Sequence, residues 1–174
     1  MGKINYARVI LGGIVGGIVA ATLDWFCNGV LIGQLWDDAL KSLNRPNALT
    51  GAPFLVVLYL LFIGGGILVV WMYAAIRPRF GAGVRTAVYA GLVAWAFSIL
   101  LSNLENVVNG LYAPRLMLYD ALFGLISGVT GAVIGAALYK EAESTPADIQ
   151  MPPRGVRLRV ELNPFRSDDE SGRT

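Results

Sequence analysis

The chain contains no histidine among its 174 residues. That removes the commonest general base and the commonest metal ligand. A Ser–His hydrolase is excluded on this ground, no zinc or haem centre of ordinary type is expected, and no cofactor is implied. The single cysteine, Cys27, excludes an intrachain disulfide. It lies within an apolar run and reads as a small buried hydrophobe. Charge is scarce too, at 15% of residues, against roughly 25% in a soluble domain. The net charge is +2 and no basic face is built for nucleic acid.

What the chain has instead is apolar length. Hydrophobic residues make up 55%, glycine occurs 21 times, and the mean hydropathy is +0.58. Four apolar stretches reach the roughly 20 residues that a bilayer crossing needs: about Arg8–Ile32, Phe54–Ile76, Thr86–Val107 and Leu116–Tyr139. Backbone in lipid must satisfy its own hydrogen bonds, so these are expected to be helices. The fold class is therefore all-α, an integral membrane four-helix bundle over residues 1–143 with a polar tail over 144–174. The opening "MGKINYARVILGGIVGG" resembles a signal peptide, but no small-x-small site precedes a polar sequence and the apolar run continues past signal length. It is expected to stay as the first span.

In "RPRFGAGVR", Pro78, Gly81 and Gly83 are expected to break the helix between spans two and three. Arg77, Arg79 and Arg85 flank the break, where lipid headgroups would meet them. Lys3, Arg8, Arg77, Arg79, Arg85 and Lys140 fall on one side of the four spans, and Lys41, Arg45 and Arg115 on the other. The positive-inside rule then puts both termini in the cytoplasm. In the first loop, Leu35, Trp36, Ala39, Leu40 and Leu43 recur at helical spacing and predict a short amphipathic helix at the interface. In the tail, "VRLRVEL" alternates, with Val156, Leu158, Val160 and Leu162 on one side. One strand is not stable alone. It either docks on the edge of a partner's sheet or belongs to a disordered tail.

Carboxylates interrupt the apolar runs. "DWFCNGVL" from Asp24 is echoed by "ENVVNGLY" from Glu105, an acid followed four residues later by Asn-Gly. At about 100° per residue, Gly13, Gly17, Asp24 and Asn28 share a face of span one. Gly91, Ser98, Glu105 and Asn109 share a face of span three. Asp120, Gly124, Ser127 and Gly131 share a face of span four. Small residues let membrane helices approach closely, so Gly13, Gly17, Gly91, Ser98, Gly124 and Gly131 are expected at helix contacts. The acids should then point between helices, not into lipid. Asp24, Asn28, Glu105, Asn109, Arg115 and Asp120 are expected to form one polar cluster, with Asn103 and Asn106 adding donors and acceptors and Arg115 neutralising an acid. The echo also suggests an internal repeat, two hairpins in parallel orientation.

The segments "RVILGGIVGG", "WMYAAIRPRFGAGVRTAVYAGL" and "GAALYKE" resemble a group of small, functionally uncharacterised bacterial membrane proteins across roughly residues 5–143. The resemblance implies four spans and a bacterial inner membrane, and carries over no catalytic residue. Two functions stay open. One is a non-catalytic accessory or scaffold subunit of a larger membrane assembly or homo-oligomer, in contact with the lipid bilayer. The other is a small transporter or channel-like protein with an outward-facing acidic site for a cation or proton. An aspartyl protease is set aside, because the Tyr-Asp of "LYDALFG" has no Gly-x-Gly-Asp partner.

Overall fold

The computed structural model describes residues 4–45 and 51–141. The tail at 144–174, including the strand expected over Val156–Leu162, lies outside them. The described residues are helical, with no strand. The elements are α1 (Tyr6–Trp25), a π-helical stretch π1 (Phe26–Leu31), α2 (Gly33–Ser42), α3 (Ala52–Phe80), α4 (Val84–Trp95), a second stretch π2 (Ala96–Leu100), α5 (Leu101–Val108) and α6 (Pro114–Ala137). Four continuous helical segments are long and apolar enough to cross a membrane: Tyr6–Leu31, Ala52–Phe80, Val84–Val108 and Pro114–Ala137.

Local chemistry explains the boundaries. Asn5 caps α1 by accepting the Arg8 N–H at 3.2 Å. Pro114 opens α6, where its missing N–H costs nothing. The α3–α4 junction differs from expectation. Pro78 does not end α3 but sits in its last turn. The helix stops at Phe80, where Gly81 takes φ 85 and donates its N–H to the Arg77 carbonyl. Gly83 follows at φ 134, so two glycines make the reversal.

The spans run alternately up and down in a ring. α1 packs on α3 and α6, α6 on α4, and α4 on α3. The first and last spans are thus neighbours, and their contact is made by glycine. A Cβ on Gly16 would lie 2.5 Å from the Gly131 carbonyl oxygen, and one on Gly131 2.6 Å from that of Gly16. Gly12 and Gly135 oppose each other one turn along in the same reciprocal way. Such a helix pair gains van der Waals contact and Cα–H···O bonds, because lipid supplies no hydrophobic drive between spans. A second face of α1 serves α3: a Cβ on Gly17 would meet Phe62 O at 2.5 Å, and Gly13 lies against Ile67 and Gly66. Gly91 abuts Ala132 and Val129 of α6, and Gly124 abuts the Ile99 side chain.

Near the end of the bundle that carries residues 4 and 141, the core is Val9, Val70, Tyr73, Ala74, Ala87, Ala90, Ala136 and Tyr139. The Tyr73 hydroxyl accepts the Gly83 N–H at 3.2 Å. The Tyr139 hydroxyl accepts that of Asn5 at 3.4 Å. Arg77 turns inward, over the Tyr139 ring and 3.1 Å from Glu141 in an ion pair without hydrogen-bond alignment. Arg79 and Arg85 stay exposed.

Gly16→Ala should therefore destabilise the bundle by about 1–3 kcal/mol through overpacking. Gly128→Ala, at a helical position with nothing within 4 Å, should be neutral or stabilising by up to about 1 kcal/mol. Thermal unfolding of the two variants in one detergent separates these effects. Equal melting points would contradict the packing described.

Candidate intramembrane site

The glycine contact fixes the register of α1 against α6. Gly12 faces Gly135 and Gly16 faces Gly131, so each turn up α1 is a turn down α6. Continued toward α2, that register sets Ala20 opposite Ser127 and Asn28 beside Asp120. Asp24, Asn28 and Asp120 accordingly line one partly open cavity of about 210 Å3, together with Trp25, Gly29, Trp36, Phe54 and Leu58. Asp24 accepts a bond from Asn28 Nδ2 at 3.3 Å. Asn28 Oδ1 accepts the Trp36 indole N–H at 3.3 Å. Trp36 is the residue by which α2 reaches the cavity, and its ring meets Tyr112 edge-on at 5.5 Å. Ser127, fully buried, also lies within reach of the Asp24 carboxyl.

Asp120 is held from the other side. Asn103 is buried, and its Nδ2 donates to Asp120 Oδ2 at 2.7 Å and to the Met117 carbonyl at 3.1 Å. Neither carboxylate has a lysine or arginine partner among the described residues.

Three expected members are elsewhere. Glu105 is exposed on α5 and Asn109 just past its end, and Ser98, expected at a helix contact, is exposed and bonded back to the Ala94 carbonyl at 2.7 Å. The cause is π2. A π turn takes up one extra residue, which rotates everything beyond it by about 100° relative to α-helical spacing. Asn103 swings onto the Gly91 face and Glu105 leaves it. Arg115 is also exposed, stacked on Tyr119 at 5.5 Å with its Nε donating to that hydroxyl at 3.3 Å. It does not neutralise Asp120. Asn103 takes part as expected, and Trp25, Trp36, Phe54 and Leu58 join the site in place of the others. Nothing in the sequence marks these four as neighbours of a carboxylate.

Compared with protein families, curated proteins and solved structures, the chain matches none. Fold and site define a class: a multi-pass all-α membrane bundle with a dicarboxylate cavity between its first and last spans.

Asn103→Ala should cost about 1–3 kcal/mol, because it leaves Asp120 and the Met117 carbonyl short of a donor. Glu105→Gln should leave the melting temperature unchanged. The reverse order in thermal unfolding would mean that α-helical spacing continues through Ala96–Leu100.

Proposed function

We propose that this protein is a non-catalytic subunit of a larger assembly in a bacterial inner membrane, with both termini in the cytoplasm. The observation that carries the reading is the outer face of α3. Gly64 and Gly65 stand exposed on it with nothing within 4 Å, between exposed Leu60, Leu61 and Leu68. Inside the bundle, glycines at this depth are covered by a neighbouring backbone, as Gly13 and Gly16 are. Bare glycine backbone on an outward face offers another helix the same close approach. That helix belongs to another membrane subunit or to a second copy of the chain.

A second reading has its own support. The cavity between Asp24 and Asp120 suits a transporter or channel-like protein that binds a cation or proton on the outward side. Ionisable residues at membrane depth carry a high energetic cost and commonly serve binding. The two readings share one architecture and assign it different work. The echo of Asp24 in Glu105 adds a proposed internal repeat, with π1 and π2 each following a tryptophan, Trp25 and Trp95.

Gly65→Leu tests the subunit reading. Nothing in the chain itself opposes the added side chain, so the melting temperature should hold. Partners recovered with the full chain in a gentle detergent, and identified by mass spectrometry, should be lost. Recovery of the same stoichiometric partners with Gly65→Leu would overturn the role of this face. A chain that runs alone before and after the change would overturn the subunit reading.

A further inference from the structure

The cavity has two kinds of wall. Asp24 from α1 and Asp120 from α6 supply carboxyl oxygen, while Trp25, Trp36, Phe54 and Leu58 supply rings and carbon. Asn28 donates to Asp24 and Asn103 to Asp120, and Ser127 and Asn28 lie within reach of Asp24 and Asp120 respectively. An ionised carboxylate offers about four acceptor sites, so both keep capacity toward the cavity. No basic side chain among the described residues pairs with them. The described residues thus bring two acids together between the spans and pair neither with a basic side chain.

The chemistry of the walls narrows the class of counter-charge. A metal ion needs about four or more converging ligands, and among the described residues no three His, Cys, Asp or Glu side chains could hold one. Indole faces attract cations, more strongly than any other side-chain ring, and apolar carbon favours a ligand with a skeleton of its own. The volume lies below the range of drug-sized sites, which limits the ligand to on the order of ten non-hydrogen atoms.

We propose that the cavity binds a small organic cation, an amine or quaternary ammonium, with its charge between Asp24 and Asp120 and its carbon skeleton against Trp25, Trp36 and Phe54. The inference rests on the second reading above, that the acidic cavity is a ligand site. Trp36 has two roles in it. It forms part of the wall, and through Asn28 it ties α2 to the Asp24 carboxylate.

The test is calorimetric titration of the full chain in zwitterionic nanodiscs with tetramethylammonium, with tert-butanol as an uncharged analogue of similar size, and with sodium. Saturable binding of tetramethylammonium and none of tert-butanol is expected. Asp120→Asn and Trp36→Leu should each weaken it by about tenfold or more. Trp36→Phe, which keeps a ring, should weaken it less, and gel filtration shows that each variant is folded. Equal binding of tert-butanol would overturn the proposal by making the cavity merely apolar. Sodium binding that Asp120→Asn abolishes, with no response to tetramethylammonium, would overturn the organic class and leave the acidic-site reading standing. No binding of any cation by the folded wild-type chain would overturn both.

Discussion

Backbone meets backbone where α1 crosses α6, and the rest of the bundle is arranged around that contact. Gly12 and Gly16 on one helix and Gly131 and Gly135 on the other leave no room even for a methyl group. The spacing of four residues on both sides locks the register as well as the distance. That register carries Asn28 to the level of Asp120, so the cavity is a consequence of packing two turns away. α1 holds this contact while presenting Gly13 and Gly17 to α3. It is the helix on which two neighbours are built.

The large features of this architecture were legible from composition and periodicity. Apolar length located four spans, and a helical recurrence from Leu35 to Leu43 located α2. The face assignment in α1 was readable because Gly13, Gly17 and Asp24 all precede its π turn. Beyond π2 it failed, because nothing in "AFSIL" distinguishes a π turn from an α turn. An error of one residue in helical phase put Glu105 on the buried face beside Asn103. Arg115 was misplaced for a different reason. Nearness in sequence to two acids does not compete with a tyrosine one turn along the same helix face. The aromatic members of the site were hidden because apolar spans are full of such residues, and only the fold selects which of them surround a carboxylate.

The two ends of the bundle are built differently. Around Tyr73 and Tyr139 the core is small and aliphatic, and the tyrosine hydroxyls tie down the segment before α1 and the turn after α3. At the other end α2 packs on π1, and polar contacts through Asn28, Trp36 and Asn103 replace close backbone packing. Buried polar groups of this kind are tolerable only when each has a partner. The amides here serve that purpose, giving each carboxyl a donor while both line the cavity.

The ring order has a consequence for biogenesis. Chains are made from the N-terminus onward, and the glycine face of α1 that receives α6 waits longest for its partner. While α3 and α4 are being inserted, Asp24 sits in the first span without Ser127 or Asp120 beside it, and Gly12 and Gly16 remain uncovered. Only when the last span enters does the ring close and the cavity acquire its second wall. Closure of this bundle is therefore a late event, and a ribosome stalled before Pro114 would leave a partly assembled bundle in which Asp24 has its α3 wall but lacks its α6 wall.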